Sequence, residues 1–269
     1  MNLKRIGTAL IGGPIIIALL VLGNPKTIDA LLALVAIRAI NEYNNCAKKT
    51  CNPISWISYI PAIAIAFIHV IPYEIWLKIL PLVLPMFLLY QFVQVIVTNG
   101  KTTYKDLVYT STGCIYIVSF LTFLSLLYGA ENGKILVWFI MLAAWGSDIF
   151  AYIIGKKFGK HKFSKISPNK TIEGCVAGLV GAAVLSLVYA IVVNKFFALN
   201  LVYWQIVLIA CSLGTIGQIG DFAASVIKRH FDVKDFSDLF PGHGGMIDRI
   251  DSIIFIAPFA YYIFVILLG

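Results

Sequence analysis

The amino-acid sequence predicts an all-α, polytopic integral membrane protein with about nine transmembrane helices. Of its 269 residues, 60% are hydrophobic and only 13% are charged, and this charged fraction is about half that of an ordinary soluble domain. A soluble fold of this length could not bury so much apolar surface, so lipid must surround most of the chain. The spans must be helices, because a lone strand cannot satisfy its backbone hydrogen bonds in lipid.

Nine apolar runs are candidates for these spans, since a helix needs roughly 20 apolar residues to cross the hydrocarbon core. They are Ile6–Gly23, Thr27–Ile40, Ile54–Ile71, Ile75–Val97, Thr112–Tyr128, Ile135–Ile154, Gly174–Val193, Val202–Ile219 and Ser252–Leu268. The first run follows Lys4 and Arg5 as in a signal peptide but lacks a convincing cleavage site, so we expect a retained helix. The second run is short, and the fourth contains Pro81 and Pro85, which predict a kink or a late start.

The basic residues predict how the chain is oriented. With the N-terminus in the cytoplasm, sixteen of the 21 Lys and Arg lie in inside segments and four in outside segments, as the positive-inside tendency requires. This orientation turns two polar loops, 155–173 and 221–251, towards the cytoplasm. We therefore divide the chain into N-terminal transmembrane helices, residues 1–130, and C-terminal helices, residues 131–269, which carry a cytoplasm-facing catalytic site in the cell (inner) membrane.

The charge of the chain narrows its partners. A formal net charge of +8 suits an anionic partner such as a phosphate or a lipid headgroup. Nucleic acid is a poor alternative, because the basic residues stand between apolar runs and the sequence carries no nucleic-acid-binding motif. Cys46 and Cys51 share one loop without CxxC spacing or a nearby histidine, so neither a zinc site nor a disulfide is predicted there.

The loop 221–251 begins and ends on helices whose polar faces carry acids. Asp221, Ser225 and Lys228 continue the eighth run with spacings of four and three residues, which places them on one helix face. Asp248 and Asp251 share a face at the start of the ninth run. A charged residue near a helix end is usually a solvated surface residue. Asp221, however, follows an apolar run near the bilayer, where acidic groups are costly and usually functional.

The residue types in this loop suit metal-assisted phosphoryl or nucleotidyl transfer. Asp221 and Asp248 are hard oxygen donors of the kind that hold Mg²⁺ beside substrate phosphates. The loop's basic side chains can neutralise phosphate charge, and they are Lys228, Arg229, Lys234 and Arg249. Asp232 and Asp238 lie off both helical faces, so we predict that neither belongs to the metal site.

The glycine-rich segment 241–245 precedes a helix N-terminus. The backbone N–H groups of Gly242, Gly244 and Gly245, together with the helix dipole, would form an anion site. His243 in the same turn is either a hydrogen-bonding loop residue or a proton donor or phosphate ligand, and the sequence leaves both interpretations open.

The loop 155–173 carries a dense positive charge. Six lysines lie within the fifteen residues 156–170, with no acid among them. They form either an electrostatic funnel for a polyanion or an ordinary positive-inside loop that contacts anionic lipid. Asp148 lies just before this loop, on one face with Trp145 and Tyr152 at the end of the sixth run, and is a candidate substrate-binding residue.

The helix after the lysines has a capping pattern at its start. Ser167 or Thr171 can cap the helix, with Glu173 in the first turn. The free N–H groups of that first turn and the Lys170 side chain would then face a phosphate. This geometry adds a second candidate substrate-binding element to the chain.

Residues 225–251 carry a long motif, S-x-I-K-R-x4-K-D-x-S-x2-F-P-G-H-G-G-M-x-D-R-I-D. It resembles the signature of phosphatidate cytidylyltransferases, also called CDP-diacylglycerol synthases. The resemblance implies Mg²⁺-dependent transfer from CTP to phosphatidic acid in phospholipid biosynthesis, with release of pyrophosphate, and a homodimer. It adds Asp235 and Asp251 to the expected catalytic residues and Ser225 to the substrate-binding ones. The family's SPxKTxEG element implies nucleotide handling by Ser167, Lys170, Thr171 and Glu173.

Two alternatives remain open at this stage. The first is another enzyme on the same framework, a CTP-dependent lipid kinase or an isoprenoid-phosphate cytidylyltransferase, which differs in the acceptor and in whether CDP or pyrophosphate leaves. The second is an anion transporter, which would favour ionisable residues at mid-membrane and matched halves. Here the charges cluster at one face, and the sequence has neither a GxSxG nucleophile motif nor a Walker A motif.

Overall fold

The computed structural model describes residues 3–164, 167, 170–240 and 242–268, with side chains from residue 13 onward. The described residues form helices and loops without a β-strand, which confirms the all-α prediction. The α-helices are α1 (Leu3–Leu22), α2 (Pro25–Ala47), α3 (Ser55–Ala64), α4 (Tyr73–Val97), α5 (Tyr104–Gly113), α6 (Phe120–Gly129), α7 (Gly133–Phe158), α8 (Ile172–Phe197), α9 (Tyr203–His230) and α10 (Ile247–Tyr261). A 3₁₀ turn (Ile65–Phe67) follows α3, and π-helical segments link α5 to α6 (Cys114–Ser119) and extend α10 (Tyr262–Leu267).

Six helices are long and apolar enough to cross a membrane, counted over the described residues, and they make the chain a membrane protein. They are Tyr73–Val97, Tyr104–Gly129, Gly133–Phe158, Ile172–Phe197, Tyr203–His230 and Ile247–Leu267. The predicted count of about nine is not confirmed. The second predicted run lies in α2, which buries the polar side chains of Asp29, Glu42 and Asn44. The third predicted run corresponds to an apolar helix, Ser55–Phe67, that is shorter than the six spans.

Local sequence signals explain where several helices begin. Asn24 and Thr27 form a reciprocal capping box before α2, and Thr103 and Asp106 do the same before α5, which satisfies backbone N–H groups that have no partner within a helix. The predicted late start of the fourth span is not observed, because α4 begins at Tyr73 and runs past both of its prolines.

The chain folds into two compact units. The N-terminal unit comprises Met1–Gly129 and Phe231–Arg249, and the C-terminal unit comprises Ala130–His230 and Ile250–Gly269. The division of function between residues 1–130 and 131–269 stays a prediction, while the segment 231–249 belongs to the N-terminal unit in the structure.

The N-terminal unit is built around α2, which packs against α3, the 3₁₀ turn and α6. Three carboxylates are buried in this unit, and each accepts hydrogen bonds. Asp29 accepts from the backbone N–H of His69 at 2.9 Å and from the Ser125 hydroxyl at 2.5 Å. Asp106 accepts from the backbone N–H groups of Asn52 at 2.6 Å and Thr103 at 2.7 Å. The third carboxylate, Glu42, contacts segment 231–249 and is described with the site.

The C-terminal unit is held by close packing of α7, α8 and α9. At Gly178 of α8, an added Cβ atom would lie 2.8 Å from both Gln218 Nε2 and the backbone oxygen of Ser147. A residue without a side chain is therefore needed for the three helices to approach so closely. This approach brings the polar ends of α7 and α9 together.

Candidate active site

The C-terminal unit gathers three of the predicted site acids. Asp148 lies on an exposed face of α7, Asp221 lies in the last third of α9 with 29% of its side chain exposed, and Asp251 lies in the first turns of α10. Asp251 is close enough to the other two carboxylates, and to Lys228, to interact with them electrostatically. Grouped carboxylates repel one another, so this arrangement requires nearby cations.

One such cation is Lys170, which forms an ion pair with Asp221. The Lys170 ammonium also lies 4.1 Å from the centre of the Phe222 ring, a favourable cation–π geometry. Phe222 in turn stacks on Phe163 with ring centres 4.8 Å apart. The sequence predicts that Lys170 faces a phosphate, and in this structure its partner is a carboxylate of the same unit.

The cap of α8 is Thr171, one of the two predicted alternatives. Its hydroxyl accepts a hydrogen bond from the Gly174 backbone N–H at 3.1 Å, as an N-cap residue does. Ser167 instead contributes its backbone oxygen, which accepts from the Lys170 N–H at 3.1 Å. Of the nearby motif residues, Pro168 and Asn169 lie outside the described part of the chain.

Glu173 bonds the first part of the lysine loop, the basic segment of residues 155–173. Its carboxylate accepts from the backbone N–H groups of Lys160 at 3.1 Å and His161 at 3.3 Å, and it pairs with His161 Nδ1 at 2.6 Å. Backbone bonds from Phe163 to Lys170 and from Ile172 to His161 close the base of the loop. Glu173 therefore bonds the loop itself, and its predicted role in substrate binding stays a prediction.

Polar side chains fix the facing ends of α7, α8 and α9. The Gln218 amide donates to the Ser147 hydroxyl at 3.0 Å and to the Cys175 backbone oxygen at 2.9 Å. Ser225, a predicted substrate-binding residue, donates its hydroxyl to the backbone oxygen of Asp221 at 3.0 Å. The predicted cations Lys228 and Arg229 occupy the last turn of α9.

A second group of predicted residues forms a pocket in the N-terminal unit. The pocket has a volume of about 390 Å³ and is lined by Lys234, Asp235, Asp238, Gly242, His243, Gly244 and Arg249. Asp238 is the one lining residue that is not among the predicted site residues, and its predicted exclusion from the metal site stays a prediction. Asp232, the other acid that the sequence predicts to lie outside the metal site, is an exposed residue just after α9 with a φ of 51°.

The glycine turn of this pocket is tightly bonded. Gly242 and Gly244 adopt φ values of 77° and 78°, a left-handed conformation that glycine adopts without strain. The Phe240 N–H donates to the Gly244 oxygen at 2.9 Å, and the His243 N–H donates to the Phe240 oxygen at 2.8 Å. These two bonds close the turn between Phe240 and Gly244.

Carboxylates of the protein accept hydrogen bonds from N–H groups around the start of α10, and one of these groups, that of Gly245, is predicted by the sequence to bind an anion. Asp248 Oδ2 accepts from Gly245 and from Phe236, each at 2.9 Å. Glu42 accepts from Met246 at 3.0 Å and from Ile247 at 3.1 Å. The Gly245 N–H therefore already has a carboxylate partner in this structure, and the anion site of Gly242, Gly244 and Gly245 stays a prediction.

Glu42 is the site residue that the sequence analysis missed. The only local signal is a charged residue that continues the second apolar run on α2, and burial of such a residue requires partners. Those partners lie as far as 205 residues away along the chain.

A comparison with known proteins now identifies the chain. The model of the Cytidylyltransferase family matches residues 3–267. The chain belongs to this family.

Three phosphatidate cytidylyltransferases are similar to this chain over part of its length. The phosphatidate cytidylyltransferase of Bacillus subtilis is 35% identical over 170 residues, which cover 62% of each chain. That of Thermotoga maritima is 36% identical over 176 residues, or 64% of each chain, and that of Staphylococcus epidermidis is 41% identical over 129 residues, or 48% of each. The matched regions thus span less than two thirds of the length of these relatives.

Mg²⁺ is the cofactor predicted for this chain. Its two predicted ligands belong to different units, Asp221 to the C-terminal unit and Asp248 to the N-terminal unit. Within the described residues, no group of three or more His, Cys, Asp or Glu side chains is arranged to hold a metal ion. The donor types nevertheless fit, since Mg²⁺ is bound through one or two carboxylates plus water and substrate oxygens. The Mg²⁺ site stays a prediction.

Proposed function

We propose that this chain is a phosphatidate cytidylyltransferase, which converts CTP and phosphatidate into CDP-diacylglycerol and pyrophosphate. The observation that carries the proposal is the family match over residues 3–267. The names of the relatives support the choice of acceptor, because phosphatidate cytidylyltransferases match this chain at 35–41% identity. Many exposed apolar side chains on the long helices suit a lipid substrate that stays in the bilayer.

The proposed reaction needs charge neutralisation more than it needs a nucleophilic side chain. The phosphate of phosphatidate is already an anion, and one of its oxygens would form the new bond to the α-phosphorus of CTP. The bond from that phosphorus to the β-phosphate oxygen would break, and pyrophosphate would leave with its electron pair. Bringing two polyanions together is the main barrier, so fixed cations aimed at the developing charge are the main source of catalysis.

The basic residues of both units would supply this charge. Lys234 and Arg249 line the pocket of the N-terminal unit, while Lys170 and Lys228 lie beside acids of the C-terminal unit. Mg²⁺, when bound, would shield the phosphate oxygens further. The residues proposed to hold it are Asp221 and Asp248, with the other acids of the site shaping the field around the substrates.

Product analysis tests the proposal. Purified protein with Mg²⁺ and CTP labelled at the α- or the γ-phosphate is offered phosphatidate, diacylglycerol and a polyprenyl phosphate. We expect the α-label in CDP-diacylglycerol and the γ-label in pyrophosphate, with phosphatidate as the preferred acceptor. Release of CDP with transfer of the γ-label to a lipid would show a kinase instead, and preference for the polyprenyl phosphate would show a different cytidylyltransferase.

We also propose that the site faces the cytoplasm, where CTP is available, from a chain in the cell (inner) membrane. The bias of sixteen inside to four outside basic residues supports this orientation. A single cysteine at Lys162, in a background without other cysteines, should react with a membrane-impermeant maleimide in inverted vesicles only. Reaction in sealed cells would contradict the orientation. The homodimer that the family resemblance implies belongs to the same proposal, and crosslinking in native membranes checks it.

A further inference from the structure

Glu42 is a buried carboxylate that contacts the segment carrying the predicted active-site motif. It lies near the C-terminal end of α2 and is only 1% exposed. One of its oxygens accepts from the Ser237 hydroxyl at 2.6 Å and from the Met246 N–H at 3.0 Å, and the other accepts from the Ile247 N–H at 3.1 Å. All of these contacts lie within the N-terminal unit.

The surroundings of Glu42 are shaped to admit a carboxylate. A Cβ atom at Gly245 would lie 2.4 Å from the Glu42 oxygen, so the approach depends on glycine at that position. Arg38, one helical turn earlier, places its Nε 3.5 Å from the same side chain and partly balances its charge. A buried charge is tolerated only with such compensation.

The position of Glu42 is one that proteins commonly give to a bound phosphate. The first N–H groups of a helix lack helical partners and carry partial positive charge, which attracts anions. Here the Glu42 side chain of α2 accepts hydrogen bonds from these N–H groups at the N-terminus of α10. Any phosphate approaching these N–H groups would meet a negative charge already in place, so the cations Lys234 and Arg249 of the adjoining pocket are left to contact substrate phosphates.

We propose that Glu42 is a positioning residue, an internal anion that fixes the backbone of residues 245–247 and thereby sets Asp248 and Arg249 in their working orientation. Asp248 follows Ile247 directly, and its carboxylate closes the same turn by accepting from Gly245. Loss of the Glu42 charge would release the turn and both functional residues. The consequence for turnover rests on the proposed function, whereas the consequence for the turn does not.

The test compares Glu42→Gln with Asp29→Asn, a matched change of another buried carboxylate on α2 that bonds His69 and Ser125 instead of the turn. Hydrogen exchange at the Met246 and Ile247 amides should accelerate at least ~10-fold in Glu42→Gln and stay unchanged in Asp29→Asn. At a temperature where both variants are folded, Glu42→Gln should lower kcat ~10–100-fold, the range for residues that orient a functional group through hydrogen bonds. Asp29→Asn should keep the kcat of the original protein.

Chemical rescue gives a second measurement. In Glu42→Ala, added formate should slow exchange at Met246 and Ile247 and restore part of kcat, because a small carboxylate can occupy the vacated position. Formate should not restore any property of Asp29→Ala. Unchanged exchange and kcat in Glu42→Gln would overturn the proposal, and so would losses in Glu42→Gln and Asp29→Asn that simply follow their losses of stability. If the protein makes no CDP-diacylglycerol at all, the exchange and formate results still decide whether Glu42 fixes the turn.

Discussion

Each unit contains a set of three acidic side chains, and the two sets have different surroundings. In the N-terminal unit, Asp29, Glu42 and Asp106 are at most 3% exposed, and each accepts hydrogen bonds from backbone N–H groups as well as from a hydroxyl. In the C-terminal unit, Asp251 lies instead within electrostatic reach of two other carboxylates, those of Asp148 and Asp221.

The difference separates two uses of a negative charge. A carboxylate surrounded by backbone donors stabilises the fold, because its desolvation is compensated and its removal leaves those donors unpaired. Carboxylates grouped together repel and cost stability, and such an arrangement is typical of a functional site. The comparison predicts that substitutions of Asp29 and Asp106 change stability and that substitutions in the second set change activity. Glu42, which bonds the turn beside Asp248, should affect both.

The largest expected effect is on activity at Asp221. Asp221→Asn keeps the shape of the side chain but removes its charge, so activity should fall by at least ~10²-fold, equivalent to roughly 3 kcal/mol of transition-state stabilisation. The protein should remain folded in detergent, and excess Mg²⁺ should restore part of the rate if the loss is one of metal affinity. Initial rates across a Mg²⁺ titration measure both effects.

Asp232→Asn is the control for this change, since Asp232 is exposed and asparagine tolerates its left-handed backbone. Equally mild effects of Asp221→Asn and Asp232→Asn would rule out the predicted metal role. Asp248→Asn should lose stability as well as activity, because Asp248 also accepts two backbone N–H groups.

The next effect is on stability at Asp106. Asp106→Asn weakens the cap of α5 and the bond to Asn52, and we expect a loss of about 1–3 kcal/mol in the free energy of unfolding. Activity per folded molecule should not change. Thermal unfolding in detergent, with activity assayed below the transition, measures the two separately. A tenfold fall in kcat without a fall in the melting temperature would break the comparison between the units.

The smallest effect is expected at Glu173, which lies in the C-terminal unit but makes contacts like those of the N-terminal acids. Glu173→Gln should loosen the lysine loop, so that trypsin cleaves after Lys160 and Lys162 faster, while activity falls less than ~10-fold, a smaller loss than the one expected at Asp221. Glu131→Gln, at an exposed position, should alter neither property. A loss of activity as large as that of Asp221→Asn, with the loop intact, would contradict this expectation and support the predicted role of Glu173 in substrate binding.

Local features of the structure could be predicted from the sequence, and distant ones could not. The apolar runs predict helices because lipid leaves no other way to satisfy the backbone, and the Thr171 cap is one of the two alternatives that the sequence predicts. Glu173 and Glu42 both lie near helix ends, but tertiary packing determines their hydrogen-bond partners. Nothing in the sequence around Glu42 indicates that it meets Met246, 204 residues later.

The membrane count shows the same limit. Hydropathy alone treats α2 as a short span, yet its polar residues Asn44 and Glu42 are buried against α3 and segment 231–249. Composition records how apolar a run is, but it does not record whether protein or lipid covers the polar positions.

The helix α4 has a consequence for how the protein must be handled. Only 6% of the residues in its most apolar stretch are buried by the rest of the protein. The exposed residues include Leu80, Leu82, Leu84 and Met86. Lipid acyl chains, or a second copy of the chain in the proposed homodimer, are therefore left to cover this helix, and its placement depends on them more than on packing within its own chain. Short-chain detergents should displace α4 before any other long helix, whereas nanodiscs of matched thickness should preserve it.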